Sequence, residues 1–319
     1  MSFLGVLLAL IGVAVLVATV RQVGWAEIRD GLSAVGVWFV AVVALGGVRF
    51  LARAVAWTRC ARQSGATLAV GQAFAAGIAA DAVGNLTPLG LLASEPTKVL
   101  LVRRSMPTGP ALASVALDNA FYTGSVIVML ATGAWLLVRQ AALPRTLTIA
   151  AEGVLVGVAV GAAVAVWAAR RRPAVLSWAA QRAASLLGRE ARPPAVLHDI
   201  ESRFYGVVSW PAKTLAAVAG WQAVFHVAAV AEVWLVLSVL SGGETALTDA
   251  FILESTGRLV TVLFKVVPFR VGVDEAGAAV VAAAIGVPVS DAVALALVRK
   301  LRILVWNGAG LAVLARARR

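Results

Sequence analysis

The residues best able to do chemistry in this chain are charged side chains embedded in apolar sequence. A charge at bilayer depth costs about 2.5–3.5 kcal/mol on insertion scales, and one that persists there marks a functional site by default. Asp81, Asn85, Glu95 and Lys98 fall in one apolar stretch; Glu254, Arg258, Lys265, Arg270, Asp274 and Glu275 fall in another. Four further runs hold Arg49 with Arg53, Asp118 with Asn119 and Tyr122, His226 with Glu232, and Arg299 with Lys300 and Arg302.

Helical spacing sorts these groups. Arg49 and Arg53 are i,i+4 and share a face with Trp57, which reads either as a cationic stripe for an anionic headgroup or as snorkelling near a helix end. Glu95 and Lys98 are i,i+3 and Glu254 and Arg258 are i,i+4, so each couple either forms an internal pair or faces a site. Arg258 and Lys265 are i,i+7; two cations on one face approaching a break suit a phosphate, with Arg270 beyond them. Asp274 and Glu275 open a helix, where acids are favoured. Capping accounts for one of them, and the other is expected to face a cavity. Asp118 and Tyr122, i,i+4, are expected to hydrogen-bond to each other and to face the first stretch. His226 reads as core packing or as a proton relay. Acid–base work on a lipid phosphate is within reach of such groups. No G-x-S-x-G, H-E-x-x-H or Walker pattern occurs. Two histidines and one cysteine argue against a Cys/His zinc site. No catalytic residue, metal or cofactor is expected.

The elements that must position these groups are membrane helices. The 319 residues are 61% hydrophobic and 14% charged, with mean hydropathy +0.91. Average soluble domains are about 45–50% apolar and 25% charged, so the bilayer is the solvent for most of this chain. Six runs approach or exceed the roughly 20 residues a span needs: Ser2–Val20, Val35–Trp57, Pro110–Val138, Leu147–Ala169, Thr214–Leu240 and Ser290–Leu314. The first lacks a basic n-region and a small-residue cleavage site and reads as a retained helix.

Two more stretches are broken. Leu68–Arg104 is interrupted by GNLTPLG, with Pro88 and Gly90; Leu247–Gly286 is interrupted by PFRVG, with Pro268 and Gly272. Freed backbone at depth survives only inside protein or beside a polar cavity. Each stretch reads as a re-entrant helical hairpin, or else as two short tilted helices. The fold class is an all-α integral membrane protein of about six spans plus two such hairpins.

Basic residues outnumber acidic ones, 28 to 16, and gather in loops. The segment 170–213 carries eight of them against Glu190, Asp199 and Glu201, and the tail adds Arg316, Arg318 and Arg319. Placing these in the cytoplasm puts both termini inside, hairpin one (68–104) on the cytoplasmic side and hairpin two (247–286) on the outer side. Ser177–Arg203 reads as one or two amphipathic surface helices on anionic headgroups. The charge is thus a membrane property, and nucleic acid is not an expected partner.

That layout divides into halves of one plan, residues 1–145 and 146–319, each helix, helix, hairpin, helix, in opposite orientations. Pro88 precedes Glu95 by seven residues, as Pro268 precedes Glu275, and Pro107 and Pro288 follow the two first prolines after nineteen and twenty residues. Chance in an alanine-rich sequence is the competing account. An inverted repeat would place both breaks near the midplane around a site open to either side in turn.

The chain resembles the lysylphosphatidylglycerol synthase transmembrane-region family, also called the flippase-like domain family. NLTPLGLLASEPTKVLLVRR, the helix with Asp118, and VVPFRVGVDEAGAAVVAAAIGVPVSDAVALALVRKLRILVW carry the resemblance, the last closest to the subgroup associated with hopanoid biosynthesis. It implies Pro88, Gly90 and Glu95 in hairpin one and Pro268, Gly272 and Glu275 in hairpin two as family positions. In this chain LGLLASE is more apolar than the family's glycine-rich form. Full-length synthases add a soluble aminoacyl-transferase domain, for which 319 residues leave no room, so that activity is not inherited. The expected protein is a flippase of a bacterial cytoplasmic membrane for an anionic, polyprenyl-phosphate-linked or hopanoid-related lipid. Its headgroup would be bound by Arg49, Arg53, Arg258, Lys265 and Arg270, with Asp81, Asn85, Glu95, Asp118, Tyr122, Asp274 and Glu275 shaping the site. The alternatives are a lipid-modifying membrane enzyme and a scaffold for lipid or glycosyl biosynthesis enzymes.

Overall fold

The computed structural model describes residue 21 and residues 25–87, 90–139, 143, 145–186, 195–264 and 272–317. Among them are α1 (Trp25–Val35), α2 (Phe39–Gln63), α3 (Val70–Leu86), α4 (Gly90–Val102), α5 (Thr108–Arg139), α6 (Arg145–Arg171), α7 (Val175–Leu186), α8 (Ala195–Tyr205), α9 (Ala212–Leu240), α10 (Leu247–Leu263), α11 (Val273–Ile285) and α12 (Val289–Ala317). No strand occurs among the described residues. The protein is an all-α membrane protein.

Among the described residues, four helical runs are long and apolar enough to cross a bilayer: Arg29–Gln63, where a 3₁₀ turn joins α1 to α2, then α5, α6 up to Ala168, and α9. These are four of the six expected spans. Ser2–Val20 lies outside the described residues. At Ser290–Leu314 stands α12, 29 residues and so about 43 Å long, with Arg299, Lys300 and Arg302 at its middle.

Both broken stretches form pairs of packed helices, α3 with α4 and α10 with α11. Thr87, which ends α3, is extended (φ −114°, ψ 140°). Gly272 opens α11 at φ +82°, a conformation that glycine reaches without Cβ strain. Pro88 and Pro268 lie outside the described residues.

Packing joins residues 1–145 to residues 146–319. Helices α2 and α9 run against each other as a spine. Helix α3 packs on α12, and α10 packs on α5. Lipid tails are as apolar as leucine, so such contacts rest on close fit, which small residues allow. Buried positions accordingly include Ala52, Ala56, Ala79, Ala80, Ala82, Ala229, Ala282 and Ala292. At Gly310 a Cβ would run into the Ile78 carbonyl of α3, and at Gly133 into the Ser255 side chain of α10. Trp306 lies across Gly46 and Gly47 and donates its indole N–H to the Val43 carbonyl at 3.1 Å. Helix α6 packs on α5 and otherwise presents Val156, Val160, Val164 and Trp167 outward, as a lipid-facing helix must.

The basic segment forms two helices, α7 and α8, over the expected Ser177–Arg203 region and two residues beyond it at each end. Trp178 and Leu186 are exposed among its polar residues. Helix α8 is tied to the bundle: Arg203 donates to the Ser64 carbonyl at 2.8 Å and to Asp199 at 2.9 Å, and Tyr205 donates to the Pro173 carbonyl at 2.7 Å.

Candidate functional site

An ionic network fills the middle of the bundle, where α2, α5, α9, α10 and α12 meet. Glu232 of α9 and Glu254 of α10 are fully buried and anchor it. Arg49 reaches Glu232 at 3.1 Å from α2. Arg302 of α12 also donates to Glu232, and Arg299 stands 3.6 Å from it. Arg299 donates to Glu254 as well, while Arg258 reaches Glu254 at 2.8 Å from one turn along α10. Beside this network Arg53 donates to Asp118 of α5 at 2.6 Å and to Asn119 at 3.1 Å.

Each helix delivers its charges by register. On α9, Gln222, Phe225, Ala229, Glu232 and Val236 recur at three- and four-residue steps and are all buried. On α12, Arg299 and Arg302 are i,i+3 and both turn to Glu232, with Arg299 reaching Glu254 as well. Aromatic rings complete the environment. The guanidinium carbons of Arg49 and Arg258 lie 4.9 and 5.0 Å from the Phe225 ring centroid, and that of Arg53 lies 4.1 Å from Tyr122. Cations over ring faces are attracted by the ring quadrupole. His226 stacks on Tyr122 and shares a 2.9 Å hydrogen bond with the Ser125 hydroxyl.

Some buried polar atoms have no hydrogen-bond partner among the described residues: Arg258 Nη2, Asp118 Oδ1, His226 Nδ1 and both amide atoms of Gln222. An orphaned buried donor costs about 1–3 kcal/mol, more when it is charged. Buried charges surviving in such numbers fit a site for a polar group, since no apolar core requires them.

The sequence-derived residues divide between this network and other places. Arg49, Arg53, Asp118, Tyr122 and Arg258 come together in it. The Arg49–Arg53 stripe is not snorkelling: both guanidiniums turn into the bundle to meet acids on α9 and α5. Asp118 and Tyr122 do not hydrogen-bond to each other. A buried carboxylate gains more from the Arg53 cation than from a neutral phenol. The Tyr122 hydroxyl instead accepts from Arg258 at 3.2 Å, so Tyr122 meets hairpin two; α5 packs on α10 and, less extensively, on α4.

Glu275 and Asp274 form a neighbouring set. Lys300 lies 3.1 Å from Glu275 and 3.2 Å from Asp274. Glu275 also accepts the Gly272 backbone N–H at 2.8 Å, reaching back over the start of α11 as a cap. Both adjacent carboxylates therefore share one lysine, where one was expected to face a cavity.

Asp81, Asn85 and Glu95 stand apart. Asn85 donates to Asp81 at 3.0 Å and to Asn307 of α12 at 3.1 Å, and Asp81 is exposed. Glu95 pairs with Lys98 on its own helix at 3.1 Å. Gly90 begins α4. Lys265 and Arg270 lie outside the described residues. Sequence reasoning registered Glu232, Glu254, Arg299 and Arg302 as charges at depth but assigned them no site. Their signal was the isolation of Glu232 in VAAVAEVWLVL and the RKLR cluster in mid-helix.

The family described as Lysylphosphatidylglycerol synthase TM region matches residues 2–308. No curated protein and no solved structure matches the chain.

Proposed function

From the premise that the chain belongs to the lysylphosphatidylglycerol synthase TM region family, we propose that it translocates a lipid between leaflets, its anionic headgroup passing through the arginine network. The observation that carries this reading is the set of Arg49, Arg258, Arg299 and Arg302, buried or partly buried, on the fully buried Glu232 and Glu254, near the middle of α2 and α12. A headgroup crossing the hydrocarbon needs polar partners there, and its own charge costs several kcal/mol without them. Arg53, Asp118 and Tyr122 border the path. Lys265 and Arg270, which precede α11 in the sequence, are further candidate cations for the headgroup. Asp274, Glu275, Asp81, Asn85 and Glu95 shape the flanks.

An inverted repeat divided near residue 145 supplies the mechanism. It is supported by the exchange in packing: hairpin arm α3 on α12, hairpin arm α10 on α5, and α2 on α9 between them. Rocking one half against the other around a fixed site would expose it to each face in turn. Re-entrant hairpins and both termini in the cytoplasm of a bacterial inner membrane complete the arrangement. The exposed basic face of α6–α8 then rests on anionic headgroups. Enzymes of lipid biosynthesis are fitting neighbours, as suppliers of the lipid.

The test is headgroup accessibility in proteoliposomes. Wild-type protein is expected to expose inner-leaflet fluorescent phosphatidylglycerol to an external quencher. Arg258→Ala and Arg49→Ala, each verified as folded by size exclusion, should slow this about tenfold or more, the loss of one charged hydrogen bond. Unchanged rates in both variants would sink the site; no translocation of any lipid by the wild-type chain would sink the function.

A further inference from the structure

Charge balance says what kind of headgroup the network fits. Four guanidiniums, Arg49, Arg258, Arg299 and Arg302, are joined by ion pairs to two carboxylates, Glu232 and Glu254, so the connected set holds 4 − 2 = +2. Arg53 is matched by Asp118. Lys300 faces Asp274 and Glu275, one carboxylate in excess, but Glu275 caps α11, whose N-terminal partial charge of about +0.5 offsets part of that excess. Arg49 and Arg258 crowd the same Phe225 ring, so two like charges are held near one aromatic side chain. Arg258 is 9% exposed, its Nε and Nη1 are used by Glu254 and Tyr122, and its Nη2 has no partner among the described residues.

A buried, paired cluster with two positive charges to spare and a free guanidinium edge is complementary to an anion with two charges and several acceptor oxygens. Resting on the translocation reading, we infer that the headgroup recognised here is a phosphomonoester or diphosphate. A phosphodiester supplies one charge and a zwitterion none. A cationic aminoacyl headgroup, the kind in the family's name, would meet repulsion.

Binding of a tail-matched headgroup series to the wild-type chain in nanodiscs tests this, with displacement of a fluorescent lipid as the readout. The expected order is diacylglycerol pyrophosphate, then phosphatidic acid, then phosphatidylglycerol, then phosphatidylcholine, with lysylphosphatidylglycerol weakest. Monoester should exceed diester by about tenfold, one charged hydrogen bond's worth. Arg258→Gln should erase that step, so that phosphatidic acid displaces the probe no better than phosphatidylglycerol does in the same variant. Equal binding across the series, or preference for the lysyl lipid, overturns the inference. If translocation persists meanwhile, the function stands without it. Inorganic pyrophosphate is the remaining arm. Weak displacement by it supports a lipid-borne group, and displacement as strong as by the diphosphate lipid overturns the lipid as source.

Discussion

The two hairpins share a layout and differ in where their charges go. In the first, Glu95 and Lys98 pair along one helix with side chains 22% and 15% exposed, and Asp81 is exposed. In the second, Glu254 and Glu275 are fully buried, and their partners arrive from α12 as well as from their own helix. Hairpin one satisfies its charges locally; hairpin two is knitted into the bundle through them. Two helix pairs of similar layout thus differ in how their charges are met, one along its own helix and the other across the bundle. Charges that need a distant partner are the ones that resist removal, because no local rearrangement replaces that partner.

Glu254→Ala should separate the hairpins most sharply. It leaves Arg258 and Arg299 without their buried carboxylate, and breaking a buried pair from one side costs about 3–5 kcal/mol. A large drop in the thermal unfolding midpoint in detergent is the expected outcome, well beyond that of Glu95→Ala. Equal drops would show that hairpin one is as deeply integrated as hairpin two.

The difference between the hairpins also tracks what could be read from the sequence. Glu95–Lys98 and Glu254–Arg258 were legible as pairs, since three- and four-residue spacing decides helical neighbours without a fold. Apolar length gave the long helices, and proline with glycine gave the breaks. What stayed hidden were partners such as Arg53 with Asp118 and Arg49 with Glu232, which topology alone brings together. The assignment of Tyr122 to hairpin one failed for the same reason. Helix α5 packs on α10, an arm of hairpin two far along the chain, and no local pattern announces that contact.

Glycine substitutions probe such contacts directly. Gly310→Ala would drive a methyl into the α3 backbone, and Gly133→Ala into Ser255 of α10. Overpacking of this kind costs about 1–3 kcal/mol. Gly310→Ala should cost the more, because a backbone carbonyl cannot turn away as a serine side chain can. Unfolding midpoints of the two variants decide the order. Gly272→Ala comes next, at about 1–2 kcal/mol, for a Cβ forced to φ +82° at the start of α11. It acts on hairpin two alone, and it should disturb the cap in which Glu275 holds the Gly272 N–H.

The smallest effect belongs to Glu95→Gln. The pair it breaks joins two side chains on one helix, each with some access to its surroundings. Polar contacts inside membrane proteins average about 0.6 kcal/mol, and the glutamine amide can still accept from Lys98. A shift in the unfolding midpoint within a degree or two, with lipid translocation unaltered, is the expected result. Glu95 matches Glu275 in its distance from the break, so a large loss of translocation in Glu95→Gln would mean that the two acids act as a symmetric couple, and the division of labour between the hairpins would fall. An unaltered rate, beside a strong effect of Glu254→Gln, would place the working charges in the second hairpin and leave the first as the surface against which α12 moves.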